Sequence, residues 1–337
     1  MNIIFTILTV FRVAFVGDPQ VDNLTELSYA RESVYSELRS RTDLDLVIVL
    51  GDIVNEKTEL IAPSEASLDS LGCPWVRIHG NHDGKDIADD TTFFVGGIRF
   101  VLLNHNVLPD STYAGKTVIC AHEPFKAAQL RQDNPDVLYA TAHLHRVIRN
   151  LYPGGSENLV AGATCGTWWR GPKDENGIPY ALMGCGAPRG YFIADFHPSR
   201  KQWYNLRYKC LGRPASDQAR AWIRDGKLIV NVYGGSADGM LEARIGGKWT
   251  RLGHESRMDP EAEDIYNFNK TLSRTQRRTS NPEYMPVLRS ASTHVWTLGL
   301  EDSGASEEEL RASALRIRYS DRSMKFHSRV GIVREKE

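Results

Sequence analysis

The residues of this chain able to do chemistry lie in short polar turns: Asp18-Pro19-Gln20, Gly51-Asp52, Gly80-Asn81-His82-Asp83, His122 and His143-Leu144-His145. Together they offer carboxylates, imidazoles and amides, a mixture that completes the shells of divalent cations. Two ions held close together need one carboxylate able to bridge them, and Asp52, alone on its turn, is the natural bridge. Taken singly, each piece has a plainer role. Asp18 before Pro19 reads as a turn, the Asn and Asp of residues 80–83 as groups bonding their own backbone, and His122 as a hydrogen-bonded strand-end histidine. Their succession, each after an apolar run, is what argues for one metal site.

Those apolar runs are the elements that must position the turns. Residues 12–16, 46–50 and 75–78 read as strands, each ending in one of the polar turns. Asn23 with Glu26 gives an N-cap signal, and Leu27, Ala30, Val34 and Leu38 then recur at helical spacing. Residues 64–71 read as a short helix. Further strands are expected at 97–103, 117–121, 137–141, 158–163, 191–196 and 203–208; those at 117–121 and 137–141 run into His122 and into Ala142-His143. On such an edge, where strands end, open α/β sheets bind ligands. His143 and His145, two apart on a segment expected to be extended, would face the same way. The long connection 164–189 holds Trp168-Trp169-Arg170 and Lys173; loops of this length are usually functional or disordered, and its aromatic content argues against disorder. After residue 209 the pattern changes to short alternating strands, at 228–233, 240–245, 293–298, 314–319 and 324–333, with Gly-rich turns. That pattern predicts a small antiparallel β-sandwich. Residues 260–286 read as a polar excursion.

The succession of turns resembles the calcineurin-like metallophosphoesterase family, whose pattern is Asp-x-His, Gly-Asp, Gly-Asn-His-Asp/Glu, a lone His and Gly-His-x-His, each at a strand end. The resemblance covers residues 12–209; residues 210–337 look like the β-rich C-terminal module of some bacterial members. It implies a layered αββα-type domain followed by the β-module. Residues 1–11 read by themselves as an apolar lead, either a short strand or disordered lead or the remnant of an export signal. The resemblance further implies two divalent ions (Mn, Fe, Zn or Mg), one held by Asp18, Gln20, Asp52 and His145, the other by Asp52, Asn81, His122 and His143. The implied activity is hydrolysis of a phosphate monoester or diester by a hydroxide shared between the ions, with His82 as proton donor or charge stabiliser and Asp83 orienting it. Arg170 offers a bidentate phosphate donor, and Trp168 and Trp169 offer ring faces to a phosphorylated small-molecule, lipid or glycan substrate. Two positions depart from the family pattern. Gln20 stands for the usual His, which favours Mn²⁺ or Mg²⁺ over Zn²⁺, as in a recognised Asp-x-Gln subset of the family; Ala142 stands for the usual Gly. The alternative is a non-catalytic scaffold or binding protein that retains the fold.

Composition sets wider bounds. Apolar residues make 41% and charged residues 25% of 337, an ordinary globular balance. Residues 1–209 carry 20 Lys+Arg against 24 Asp+Glu, and residues 210–337 carry 21 against 18; neither half has the basic excess of a nucleic-acid binder. The 5 cysteines are odd in number and lack Cys-x-x-Cys spacing, so neither a disulfide framework nor a thiolate zinc site is indicated. The lead lacks the basic start and small-x-small site of an export signal, which leaves cytoplasmic and exported (periplasmic) locations both open. No apolar run has the length of a membrane-spanning helix.

Overall fold

The computed structural model describes residues 10–109, 115–278 and 281–333. All but the last two residues of the apolar lead lie outside them. Strands β1 (Phe11–Val16), β2 (Leu46–Val49) and β3 (Trp75–Arg77) run parallel, with Val13 opposite Leu46 and Val47 opposite Trp75. The β1–β2 connection is helical, from α1 (Leu24–Ala30) through a π turn at Arg31–Tyr35 into α2 (Ser36–Ser40). Asn23 Oδ1 accepts the Glu26 N–H at 3.0 Å, closing an otherwise orphaned donor as expected. Leu27, Ala30, Val34 and Leu38 are buried in the main core, so the stripe faces the sheet. Helix α3 (Ile61–Leu68) precedes β3.

The second sheet contains β4 (Thr91–Val95), β5 (Ile98–Leu103), β6 (Thr117–Ala121), β7 (Val137–Thr141), β8 (Val147–Leu151) and β9 (Glu157–Ala161), ordered β4-β5-β6-β7-β9-β8. β5, β6, β7 and β9 are parallel. The chain then returns to the first sheet through β10 (Gly190–Phe196) and β11 (Tyr204–Cys210), completing the order β11-β10-β1-β2-β3. Phe15 and Ile48 of one sheet share a core with Phe100, Val118 and Leu138 of the other. The first sheet has helices outside it. On the outer face of the second, Ile119 and Tyr139 are covered by Phe125 and Leu130 of the β6–β7 connection, whose regular structure is one 3-10 turn at Ala127–Gln129. The layered α/β arrangement is therefore present, with loop as its outermost layer on that side.

The C-terminal part contains β12 (Ala219–Arg224), β13 (Lys227–Val232), β14 (Met240–Ile245), β15 (Lys248–His254), α4 (Pro260–Thr271), β16 (Val295–Gly299), β17 (Leu315–Ser320), β18 (Lys325–Val330) and β19 (Ile332–Val333). They form one sheet, β18-β17-β14-β15-β16-β13-β12-β19. Its two edges, β18 and β19, are separated in sequence by Gly331 alone, so the sheet must curl until its edges almost meet. The expected antiparallel β-module is present as one near-barrel sheet rather than two stacked ones. Within the polar stretch 260–286 lies α4, capped by Asp259, whose Oδ1 accepts the Ala262 N–H at 3.0 Å, with Pro260 leading the first turn.

A buried ionic cluster joins the two parts. Arg149 on β8 donates to Glu157 Oε1 at 2.7 Å, to Asp321 Oδ2 at 2.8 Å and to Ser323 Oγ at 2.6 Å. Arg149 and Glu157 are fully buried, where removing one partner strands the other's charge. No helix among the described residues is long and apolar enough to cross a membrane.

Candidate metal centre

Because β1, β2 and β3 are parallel, their C-terminal ends share one edge, and β6 and β7 likewise end together on the second sheet. The edges are tied by the Thr164 N–H to the Gly17 carbonyl at 2.8 Å and by the Cys165 N–H to the Asp18 carbonyl at 3.1 Å. All the polar turns meet there. The backbone is unusual at this edge: φ is 44° at Asp18, 39° at Gln20, 48° at Asp52, 67° at His143 and 47° at His145. Side chains in this left-handed region cost roughly 1–3 kcal/mol each, and such strain clusters at functional sites. The segment from His143 to His145 is thus a bend with two left-handed residues, not the extended run expected from its spacing. Two glycines make the convergence possible. A Cβ at Gly80 would lie 2.1 Å from the Asp52 nitrogen, and one at Gly51 (φ +90°) 2.6 Å from His122 Nδ1.

Asp52, His122 and His143 offer ligand atoms all within 4.8 Å of one another. His122 Nδ1–H donates to the Leu50 carbonyl at 2.8 Å, so Nε2 is the atom aimed inward, 3.2 Å from Asp52 Oδ2 and 2.9 Å from Asn81 Oδ1. Asn81 Oδ1 also lies 2.9 Å from His143 Nδ1. Asp18 accepts the His143 backbone N–H, with Oδ2 at 3.1 Å. Gln20 presents Nε2–H to Asp52 Oδ2 at 3.4 Å and Oε1 to the Cys165 thiol at 4.0 Å, so holding a cation through Oε1 requires a half-turn of its amide. His145 Nδ1–H donates to the Gly166 carbonyl at 2.7 Å, which leaves Nε2 as the ring atom it could offer a cation. Asp52, Asn81, His122 and His143 therefore form the tight set, with Gln20 against Asp52, Asp18 against His143 and His145 set behind them.

His82 stands at the mouth. Its backbone N–H is held by Asp52 Oδ1 at 2.8 Å, and its Nδ1 lies 2.8 Å from Glu56 Oε1. Glu56 therefore takes the orienting place expected of Asp83. Adjacent residues on a tight turn point apart, and the Asp83 carboxylate turns inward, accepting the Gly80 N–H at 2.9 Å and the Val54 N–H at 3.2 Å. Glu56 carried no signal of its own, falling between two motif pieces. The Trp pair also divides. Trp168 (φ 66°) is exposed, with its ring 4.8 Å from that of His145 and 6.2 Å from that of His82. Trp169 is buried, its Nε1–H donates to the Pro19 carbonyl at 2.8 Å, and the Arg189 guanidinium lies over its ring. Trp169 packs the loop and presents no face to a substrate, contrary to expectation. Arg170 is exposed, and its charge acts on Glu26.

Burial shapes the charges. It pushes the Asp18 carboxyl well above the usual carboxylate range, against the pull of His122. Burial acts upward on Asp52 too, but the His122 imidazole outweighs it and the carboxyl is lowered. His122, although buried, is held up at about 9 by Asp52 and Asp18. Burial lowers His145 to about 4 and also lowers His143, where the neighbouring His122 adds to it. The raised Asp18 carboxyl and the raised His122 imidazole answer the same want of positive charge around two buried acidic groups, a want that a divalent cation would meet in place of those protons. The residues fit such an ion.

Comparison with known proteins bears on the family. The family description "Calcineurin-like phosphoesterase" matches residues 11–161 and "C terminal of Calcineurin-like phosphoesterase" matches residues 158–321. Curated proteins give no significant match. Among solved structures, a dimetal phosphatase from Danio rerio is similar at 12% identity over 67% of this chain and 96% of that one, with a TM-score of 0.40. Vps29 from Entamoeba histolytica, complexed with Zn²⁺, is similar at 14% identity over 72% and 97%, with a TM-score of 0.33. The first family match spans every turn that contributes to the cluster and the second spans most of the curled sheet, so the chain belongs to the calcineurin-like phosphoesterase family and carries that family's C-terminal domain.

Proposed function

We propose that this protein is a metal-dependent phosphoesterase whose centre holds two divalent ions, one on Asp18, Gln20, Asp52 and His145 and the other on Asp52, Asn81, His122 and His143. The observation that carries the reading is the convergence of Asp52, His122 and His143 within 4.8 Å, at a point where Asp18, Gln20, Asp52, His143 and His145 all sit on left-handed backbone. Bound divalent ions would supply Lewis acidity toward phosphoryl oxygens and a water acidic enough to attack at neutral pH.

The chain's own residues supply the rest. Glu56 fixes the His82 ring through Nδ1, which leaves Nε2 on the open side to pass a proton to the leaving oxygen. Asp52 holds the His82 backbone while serving the cluster, so donor and ligand are positioned by one carboxylate. Trp168 walls the cleft beside His145 and His82 and limits what may extend from the ester.

The test is hydrolysis of para-nitrophenyl phosphate and bis-para-nitrophenyl phosphate by metal-stripped protein resupplied with Mn²⁺, Mg²⁺, Zn²⁺ or Fe²⁺. Turnover should require added metal, and should fall about 100-fold or more in His82→Ala and collapse in Asp52→Asn. The ratio of the two substrates sorts monoesterase from diesterase. Absence of turnover with every metal would favour the scaffold reading.

A further inference from the structure

A second concentration of charge lies on the outer face of the curled sheet, away in sequence from the metal cluster. The register sets Arg244 on β14 opposite Arg316 on β17, and Arg316 opposite Arg329 on β18. All three are exposed. Three arginine residues therefore stand abreast on adjacent strands whose backbones are about 5 Å apart. The same face carries Arg318 opposite both His327 and Glu242, and Arg251 opposite Glu242. Glu242 is occupied by Arg318, with Nε to Oε2 at 2.6 Å and Nη2 to Oε1 at 2.8 Å. Among the described residues no carboxylate lies within ion-pair distance of Arg244, Arg316 or Arg329. Arg244 Nε donates instead to the Gly247 carbonyl at 3.3 Å.

Like charges directly opposite one another destabilise a sheet. Charges borne on strands this closely spaced are screened only in part, the screening length being about 8–10 Å in physiological salt. Folding alone is better served by alternating signs, so a ligand of opposite charge is the economical account of the row. Beside it opens a cavity of about 470 Å³, lined by Arg244, Arg316, Gly246, Gly247, Ser313 and Glu309. The Glu309 carboxylate is turned to the Ser306 N–H at 2.7 Å and hydroxyl at 3.0 Å, which leaves the two arginines to meet an anion.

We propose that this face binds a linear anionic polysaccharide, with the arginine row meeting successive acidic groups along the chain and the cavity receiving one of them. Guanidinium forks suit carboxylate and other planar or multi-oxygen anions, and a row across strands suits a linear partner. Single-stranded nucleic acid binds through free aromatic faces, but Arg318 already lies over the half-buried Trp249 ring at 4.5 Å. A bilayer surface calls for an apolar stripe, and on β14, β15, β17 and β18 the large exposed apolar side chain is Met240.

The test titrates the full chain with a fluorescent heparin decasaccharide in roughly 0.1 M NaCl, comparing wild type with the triple variant Arg244→Thr/Arg316→Thr/Arg329→Thr. Thr keeps strand preference. Affinity should fall about tenfold or more, while the melting temperature holds or rises as like-charge repulsion is removed. Arg316→Thr alone, at the centre of the row, should lose about threefold and serves if the triple variant folds poorly. Unchanged heparin binding in the variants would overturn the proposal. So would equal or tighter binding of single-stranded DNA of the same charge, or of phosphatidylserine vesicles, to wild type.

Discussion

Two neighbouring acidic positions around His82 have opposite jobs. Glu56 is largely exposed and touches the ring of His82, whereas Asp83 is buried and ties the Gly80 N–H of its own turn to the Val54 N–H that follows Asp52. Glu56→Gln keeps the shape and weakens the contact that orients the His82 ring. It should lower kcat roughly tenfold, as loss of an orienting partner commonly does, with metal content and melting temperature unchanged. Asp83→Asn sets an amide N–H against a backbone N–H, and should cost about 1–3 kcal/mol in denaturant unfolding while loosening the site. Equal stability in Asp83→Asn, or a kcat untouched in Glu56→Gln, would show that the roles are misassigned. The candidate ligand residues that the structure brings together, Asp52, His122 and His143, could be picked out in the sequence because each follows an apolar run. Glu56 was not, because its partner lies 26 residues away and only the fold pairs them.

At the level of elements, the loop between β9 and β10 is a rigid wall rather than a free lid. Trp169 anchors it to Pro19, while Leu182 packs with Ala262 of α4, Met285 and Val287. Trp169→Ala should therefore destabilise the protein by about 3–5 kcal/mol, the usual range for a buried aromatic. Trp168→Ala should leave the melting temperature in place and alter KM for aryl phosphates. The reverse pattern in thermal melts and kinetics would contradict the division. Buried strands with continuous apolar runs, such as β2, β6 and β7, could be read directly from the sequence. β15 could not, because it is largely exposed and polar, and β4, although built of strand-favouring Thr, Phe and Val, is a largely exposed hairpin partner of β5 that shows no buried run of its own. α4 carried a readable start in Asp259-Pro260, obscured by the polarity of its outer face.

Across the whole molecule, the joint between sheets and C-terminal module contains a titration site of its own. His294 is fully buried, its Nδ1–H donates to Asn231 Oδ1 at 2.6 Å, and burial lowers its pKa to about 3 from 6.5. The folded state keeps it neutral while the unfolded chain takes up a proton below about 6.5. Its contribution is thus present above that pH and is lost as pH falls toward 3, by about 2 kcal/mol at pH 5. His294→Asn retains a donor toward Asn231, so its urea-unfolding stability should decline less between pH 7 and pH 5 than that of the wild type. Parallel slopes would refute the assignment. The curling of the C-terminal sheet escaped the sequence because it follows from the single-residue link between β18 and β19, which no local pattern announces.

The proposed metal centre also belongs to the scale of the whole molecule, since turns of both sheets supply its candidate ligands. The most direct test of it is equilibrium dialysis of metal-stripped protein against Mn²⁺, with bound metal counted per chain in wild type, Asp52→Asn and His143→Ala. The account predicts about two ions in wild type, loss of both in Asp52→Asn, whose carboxylate is shared, and loss of one in His143→Ala. Wild-type protein that binds no divalent metal, or binding untouched by Asp52→Asn, would contradict it.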